Sequence, residues 1–240
     1  MNQRTNKERT LVIVPTYNER ENVPTLIQQI FSIVPEVDVL LIDDNSPDAT
    51  ANCAAELFGN DSRFSIMRRV GPRGLGRSYA EGYRHALNRG YTLMIQMDAD
   101  FSHDPRSLPD LIKASDTAEV VLGSRYCQGG RVRNWPRRRL FLSRFANYYV
   151  ALITGLKVQD ATSGFRCFSR SALKTILDKP VLSEGYAFQV ETLYRAYKAK
   201  LSIVEVPITF VDRQRGKSKI SRRVIFESML MPWRLRFDRS

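Results

Sequence analysis

Short apolar runs alternate with segments of helical periodicity along the first half of this chain. The runs lie at residues 10–15, 37–43, 64–68, 91–97 and 119–124, and their length and apolar content predict β-strands. Helices are predicted between them, at residues 22–34, 48–58, 75–88 and 105–114. Because strands and helices alternate, we expect an α/β fold, with a mostly parallel central sheet and helices on both faces.

The second half of the chain has a less regular pattern. Residues 140–153 predict an amphipathic helix with one aromatic-rich face, formed by Phe141, Phe145, Tyr148, Tyr149 and Leu152. A further helix is predicted at residues 185–200 and a strand at residues 201–206. The tail, residues 224–237, places Val, Ile, Met, Trp and Phe between basic residues.

Polar motifs follow four of the predicted strands. They are Pro-Thr-Tyr-Asn-Glu at 15–19, Asp-Asp-Asn-Ser-Pro-Asp at 43–48, Asp-Ala-Asp at 98–100 and Ser-Arg-Tyr at 124–126. Ligands of open α/β sheets bind beyond the carboxyl ends of the strands. The four motifs are therefore expected to meet in one site.

The Asp98-Ala99-Asp100 triplet is a candidate metal site. Two carboxylates that follow a buried strand can converge on Mg²⁺ or Mn²⁺, which also accept phosphate oxygens and water as ligands. A metal ion held between these carboxylates and a diphosphate would neutralise a leaving group. Alone, the spacing is also common in caps and turns, so the neighbouring motifs decide in favour of metal.

Other motifs add weaker candidates. Asp44 is a hydrogen-bond acceptor for a base or ribose, or alternatively a cap for the next helix. Tyr17 offers a stacking face and Glu19 an acceptor. The glycine-rich segment 71–76 opens a helix and is a candidate loop on the phosphate side, although it matches neither standard phosphate-binding pattern. His103 is a candidate for supporting the metal ligands.

The charge of the chain indicates an anionic partner. Its 240 residues carry a net charge of +12 and give a pI of about 9.9. Residues 120–159 contain no Asp or Glu but many arginines, and a second basic cluster spans residues 213–223. Nucleic acid would also explain this charge. The carboxylates at the strand ends would repel a polyanion, so no nucleic-acid partner is expected.

The cysteines and the hydropathy of the chain indicate in which cell compartment it is expected. The three cysteines are odd in number and lack metal-type spacing, which is typical of a reduced cytosolic protein. The polar N-terminus predicts no signal peptide. No apolar stretch reaches the roughly 20 residues that a spanning helix needs. We expect a cytoplasmic protein that binds the cytoplasmic face of a membrane peripherally.

Taken together, the motifs resemble those of family 2 glycosyltransferases, and most closely those of the polyprenol (dolichol) phosphate mannose synthases. The resemblance runs from residue 11 to residue 219 and is carried by PTYNE, DDNSPDAT, GLG, DADFSHDP, GSRY, SGFR, GYAFQVE and VPITFVDRQRGKSK. It implies a GT-A fold at residues 1–219. Residues 220–240 form a basic amphipathic tail, which is a candidate contact with the membrane surface or, alternatively, a helix packed on the domain's own core. It also implies inverting transfer of mannose from GDP-mannose to a polyprenyl monophosphate.

The resemblance also implies roles for individual residues. The nucleotide-sugar donor would be held by Pro15, Tyr17, Glu19, Ile42, Asp44, Asp98, Ala99, Asp100, Ser102, Arg125, Arg213 and Lys219. The metal ligands would be Asp98, Asp100 and Ser102, where some members have Gln at the position of Ser102. The acceptor phosphate would be held by Arg125, Arg139 and Ser143. The catalytic residues would be Asp98, Asp100 and Arg125.

The residues support a lipid phosphate acceptor independently of the resemblance. Such an acceptor needs cations beside an apolar surface, and the acid-free stretch supplies both. A phosphate monoester is already mostly dianionic at neutral pH, so it needs no catalytic base. Several members of the family carry C-terminal transmembrane helices that this sequence lacks, so a separate membrane subunit is a candidate partner.

Three alternatives stay open at this stage. The same fold could use a UDP-sugar, with glucose or N-acetylglucosamine, because the base-binding motifs do not fix the base. Transfer to a sugar hydroxyl would need a carboxylate base, and Asp160 is the candidate for it. A catalytically silent membrane adaptor would keep the fold without metal, but the intact Asp98 and Asp100 argue against it.

Overall fold

The computed structural model describes residues 9–181, 183, 185–212 and 222–237, with the backbone alone for residues 186 and 222–228. The strands are β1 Thr10–Thr16, β2 Asp38–Asp43, β3 Phe64–Arg68, β4 Leu93–Gln96, β5 Val120–Ser124, β6 Arg131–Arg133, β7 Arg166–Ser169, β8 Ile203–Pro207 and β9 Thr209–Val211. The helices are α1 Val23–Ile33, α2 Thr50–Phe58, α3 Leu75–Asn88, α4 Leu108–Ala114, α5 Arg137–Thr154, α6 Arg170–Ile176, α7 Gly185–Lys198 and α8 Arg222–Phe237, with a 3-10 turn at Pro105–Ser107.

Seven strands form the central sheet, in the order β3-β2-β1-β4-β7-β5-β8. All pairs are parallel except those of β7, which runs antiparallel to both β4 and β5. The prediction of a mostly parallel sheet is therefore confirmed. The antiparallel β7 and the small parallel pair of β6 with β9 were not predicted.

Two apolar layers cover the two faces of the sheet. On one face, alternate residues of β1 and β2, such as Leu11, Ile13 and Leu40, pack with α3 and α7. On the other face, Val12, Val39 and their neighbours pack with α1 and α4. The central strands are buried on both sides, as expected for strands that read as continuous apolar runs. Helices on both faces are thus confirmed.

Helices α5 and α8, which are far apart in the sequence, pack against each other. The Tyr149 hydroxyl donates to the Met229 carbonyl at 2.8 Å, and the Trp233 indole N–H donates to the same hydroxyl at 2.8 Å. Helix α8 also packs on α7, where Met231 is buried. Within the described residues, no helix is both long and apolar enough to cross a bilayer.

Candidate active site

The carboxyl ends of the six parallel strands meet at one edge of the sheet, and the predicted motifs lie there. Segments that follow β1, β2, β4 and β5 carry Tyr17, Asp44, Asp98 and Arg125 respectively. Because β7 is antiparallel, its amino end reaches the same edge. That end brings the segment around Gly164 against the residues that follow β4.

A tight turn after β4 presents Asp98, Asp100 and Ser102. The backbone N–H of Ser102 donates to an Asp100 carboxylate oxygen at 3.1 Å. Phe101 between them has a φ of 60°, in the left-handed region that non-glycine residues rarely adopt. The Phe101 ring packs against the apolar layer below, which offsets the cost of this conformation. The turn is therefore fixed by packing as well as by hydrogen bonds.

Asp98 is held from two sides. The buried Tyr79 hydroxyl donates to one carboxylate oxygen at 3.1 Å, and the Asp98 backbone N–H donates to His103 Nδ1 at 3.0 Å. His103 is buried and stacks on Phe165 with ring centroids 4.9 Å apart. Burial lowers the pKa of His103, and Nδ1 already accepts a hydrogen bond, so the imidazole is neutral with its proton on Nε2.

Gly164 lets the amino end of β7 approach this turn closely. A Cβ added there would lie 3.3 Å from His103 Cε1 and 3.5 Å from an Asp98 carboxylate oxygen. Arg166, two residues further on, is fully buried and donates to the carbonyls of Ser163, Gln189 and Ala161. Burial lowers the pKa of Arg166 to about 10. The Ser-Gly-Phe-Arg motif therefore supports the site from inside the protein.

The turn offers the ligand chemistry of a hard divalent cation. Asp98, Asp100 and Ser102 provide only oxygen ligands, which suit Mg²⁺ or Mn²⁺. Within the described residues, no group of three or more His, Cys, Asp or Glu side chains gathers to hold a metal. A cation here would thus need further oxygens from a bound ligand and water. This donor set fits a metal that binds together with a diphosphate.

Asp44 is held by a residue that the sequence did not single out. The buried Arg69 guanidinium pairs with one Asp44 oxygen, and the Gly74 backbone N–H donates to the other at 2.9 Å. Arg69 also donates to Glu81 at 2.9 Å and to Ser78 at 3.3 Å. The glycine-rich segment is thus tied to Asp44. Asp44 does not cap α2, because its N-cap residue is Ala49.

The other residues that were predicted to bind the donor differ in their burial and in their contacts. The Arg73 guanidinium lies 4.3 Å from the Tyr17 ring centroid, so the glycine-rich segment covers one face of this ring. The Glu19 carboxylate accepts from the Asn22 amide at 2.7 Å. Pro15 is partly buried near the end of β1. The side chains of two others are buried in the apolar layers: Ile42 and Ala99.

Arg125 forms a buried ion pair with Asp160. Its Nε and one terminal nitrogen donate to the two carboxylate oxygens at 2.7 and 2.6 Å, and its backbone N–H adds a bond of 2.9 Å. Removing one partner from a buried pair typically costs about 3–5 kcal/mol. Asp160 is completely buried. Its burial and its pairing with Arg125 argue against Asp160 as an accessible base.

The predicted acceptor residues lie on α5, beside Arg125. Arg139 donates from one terminal nitrogen to both oxygens of Asp212 at 2.8 Å and lies 4.0 Å above the Trp135 ring. Ser143 accepts from the Tyr126 hydroxyl at 2.7 Å. An open groove of about 380 Å³ continues along α5, lined by Tyr126, Arg144, Asn147, Tyr148, Ala151, Val158 and Gln159.

An aromatic row connects the two halves of the site. Trp135 contacts Phe210 edge to face at 5.3 Å, and Phe210 contacts His103 in the same way at 5.9 Å. The Arg125 guanidinium lies within 5.6 Å of Trp135 and 5.4 Å of Phe210. The acceptor residues are thus packed continuously onto the carboxylate turn. Arg213 and Lys219, predicted to clamp the diphosphate, lie outside the described residues.

Comparisons with known proteins agree with this geometry. Residues 11–177 match the family model described as glycosyl transferase family 2. A polyprenol monophosphomannose synthase from Mycolicibacterium smegmatis is 45% identical over 92% of this chain and 84% of its own. An undecaprenyl-phosphate mannosyltransferase from Micrococcus luteus is 40% identical over 92% of this chain and 91% of its own.

Solved structures share the fold at low sequence identity. Glucosyl-3-phosphoglycerate synthase from Mycobacterium tuberculosis, in complex with Mn²⁺, UDP-glucose and phosphoglyceric acid, has a TM-score of 0.70 at 19% identity, covering 94% of this chain and 80% of that one. A mannosyltransferase from Pyrobaculum calidifontis, in complex with GDP-mannose and Mn²⁺, has a TM-score of 0.60 at 17% identity, covering 96% and 73%.

The family match covers well over half of the chain, and both relatives exceed 30% identity over most of their length. The predicted family and the predicted GT-A fold are therefore confirmed. The carboxylate turn, the strand-end motifs and the comparisons lead to one conclusion, that this chain is a glycosyltransferase of family 2 with a GT-A fold.

Proposed function

We propose that this enzyme transfers mannose from GDP-mannose to a polyprenyl monophosphate, with Mg²⁺ or Mn²⁺, at the cytoplasmic surface of a membrane. One observation carries the proposal. The oxygen-rich turn at Asp98 and Asp100 is packed, through Trp135 and Phe210, onto a cationic helix with an exposed apolar face. The names of the two relatives, a polyprenol monophosphomannose synthase and an undecaprenyl-phosphate mannosyltransferase, support the same reaction class.

The donor would lie along the strand ends. Asp44, which Arg69 and the Gly74 backbone hold in position, would accept hydrogen bonds from the nucleoside, with Pro15, Tyr17, Glu19 and the backbone of β2 beside it. Asp98, Asp100 and Ser102 would hold the metal ion, and Arg213 and Lys219 would add positive charge. When bound, the cation neutralises charge that develops on the leaving GDP. The nucleoside of the donor would thus bind at the ends of β1 and β2, and its diphosphate at the end of β4.

The acceptor would approach from the side of α5. Arg139 and Ser143 provide a cation and a hydroxyl for the phosphate, and Arg125 lies behind them. A dianionic phosphate oxygen is already a nucleophile, so positioning and charge stabilisation are sufficient for a single inverting displacement. The burial of Asp160 argues against a sugar hydroxyl acceptor, since the site would then lack its base.

A membrane surface is the partner that best suits the outer face of α5 and α8. Five α5 side chains and four from α8 are large, apolar and exposed: Phe141, Leu142, Phe145, Tyr148, Leu152, Met229, Leu230, Trp233 and Phe237. Basic residues of α5 flank them, including Arg137, Arg138 and Arg144. An amphipathic surface of this kind binds at the lipid interface, helped by anionic headgroups. It would bring the groove along α5 to the lipid acceptor.

An organic-extraction assay tests the proposal. Purified protein would be incubated with Mn²⁺, labelled GDP-mannose and a polyprenyl phosphate in detergent, with GDP-glucose and UDP-sugars in parallel. We expect label in the organic phase only from GDP-mannose, and loss of that label with a chelator. Organic-phase label from a UDP-sugar would instead identify that UDP-sugar as the donor, with the polyprenyl phosphate still the acceptor. No label from any donor, even with a membrane extract that supplies a partner subunit, would overturn the proposal.

A further inference from the structure

The two arginines of the predicted acceptor site are held in different ways. Arg125 uses two side-chain nitrogens and its backbone N–H on Asp160, and both side chains are almost wholly buried. Arg139 uses a single terminal nitrogen for both oxygens of Asp212, and these side chains are 40% and 28% exposed. Only the second pair is open to exchange with a ligand, because water and ions reach it.

Asp212 occupies the position on Arg139 that an anionic ligand would take. Its two oxygens lie 2.8 Å from the guanidinium, as the oxygens of a bound phosphate would. Trp135 supports the other side of the guanidinium at 4.0 Å, which leaves its edge for the anion. The Asp212 backbone N–H donates to the Arg133 carbonyl at 3.3 Å, which continues the pairing of β6 with β9. Asp212 is thus placed by the fold.

We propose that Asp212 is an internal stand-in for the acceptor phosphate, which displaces it from Arg139. This inference rests on the proposed function, because it assumes that Arg139 receives the lipid phosphate. A carboxylate carries one negative charge, whereas a phosphate monoester carries nearly two at neutral pH. The dianion therefore competes successfully for Arg139, and a neutral hydroxyl does not. Asp212 therefore lowers the affinity of the site for the acceptor phosphate, but it also prevents uncharged lipids from occupying Arg139.

The test compares Asp212→Asn with a matched control. Asp61 pairs with Arg63 at the opposite end of the sheet order, beside β3, and its side chain is also 28% exposed. Asp61→Asn therefore removes the same charge at the same exposure. Binding of a short-chain polyprenyl phosphate would be measured by calorimetry at constant ionic strength. We expect Asp212→Asn to tighten binding by about two- to fivefold, as loss of a partly exposed competing pair implies, and Asp61→Asn to leave it unchanged.

A double variant separates competition from general electrostatics. In an Arg139→Ala background, Asp212→Asn should give no tightening, because the site of competition has been removed. Weaker binding by Asp212→Asn would overturn the inference and make Asp212 a residue that positions Arg139. Equal tightening by Asp61→Asn would overturn it in favour of long-range charge. If the lipid phosphate binds no variant, the acceptor assigned under the proposed function fails, and this inference fails with it.

Discussion

The Tyr79 hydroxyl donates a hydrogen bond of 3.1 Å to an Asp98 carboxylate oxygen from within the apolar layer under the sheet edge. The Tyr79 ring is stacked between Tyr83 and Phe188, each with a centroid 6.0 Å away. Burial raises the pKa of Tyr79 well above its ordinary value, so the phenol remains a donor at any physiological pH. Tyr79 therefore fixes the orientation of Asp98, a predicted metal ligand.

Tyr79→Phe is expected to weaken metal binding by about tenfold, the lower end of the usual effect of groups that orient metal ligands. The ring stack would remain, so the fold should not change. Mn²⁺ affinity in the presence of GDP, measured by electron paramagnetic resonance, provides the readout. Tyr83→Phe is the control, since the Tyr83 hydroxyl donates to Gln96 at 2.6 Å inside the sheet. Equal loss in both variants would assign the effect to packing.

Asp100→Ala should abolish mannosyl transfer while the protein stays folded. The variant removes one of the two carboxylates in the turn and with it a proposed metal ligand. Organic-phase label and the thermal midpoint would be measured on the same preparation. Turnover at the wild-type rate would refute the metal assignment.

Arg139→Ala should raise the KM for the polyprenyl phosphate by about tenfold or more, because a hydrogen bond to a charged group is lost. The KM for GDP-mannose should change little. Steady-state kinetics with each substrate varied in turn would check this expectation. An equal rise for both substrates would remove Arg139 from the acceptor site.

Asp160→Asn should destabilise the protein by about 3–5 kcal/mol, because Arg125 would lose its buried counter-ion. Chemical denaturation measures the free energy of unfolding. Asp61→Asn, which breaks a partly exposed pair, should cost about 1 kcal/mol or less. An Asp160→Asn protein that is as stable as the wild type but inactive would make Asp160 a catalytic base after all.

Phe145→Ser should weaken binding to anionic vesicles by about tenfold, the equivalent of withdrawing one aromatic side chain from an apolar phase. Leu57→Ser is the matched control, because Leu57 on α2 has the same 56% exposure as Phe145. Vesicle sedimentation at fixed salt would compare the two. If both variants bind as the wild type does, the face on α5 is not the membrane contact.

The sequence predicted the buried elements of the sheet better than its exposed or short elements. β1 and β2 are long apolar runs, and their predicted bounds differ from those observed by one residue. Helix α5 begins at Arg137 rather than at residue 140, because its first turn is basic and solvent-exposed. The prediction missed β7, since Arg166–Ser169 is short and contains a buried arginine, which no periodicity can reveal.

The candidate site, like the fold, could be predicted only in part. The residues at the strand ends were predictable, because sheet topology alone brings them to one edge. Arg69 was not, since an arginine in the Met-Arg-Arg-Val segment reads as solvent-exposed until the glycine-rich segment and α3 pack over it. The hydrogen bond from Tyr79 to Asp98 was not predictable either, because it joins two separate elements of the fold.

The register of β5 with β7 places Leu122 opposite Arg166, so the long excursion between these strands leaves and re-enters the sheet at adjacent positions. That excursion contains Arg125, α5 and the groove, whereas the carboxylate turn and Asp44 precede it. The segment that carries the acceptor side of the site is therefore flanked by two strands that pair with each other. Such a segment can be exchanged between relatives as a unit. Chimeras joined at β5 and β7 would keep the donor half of the enzyme in its own sheet.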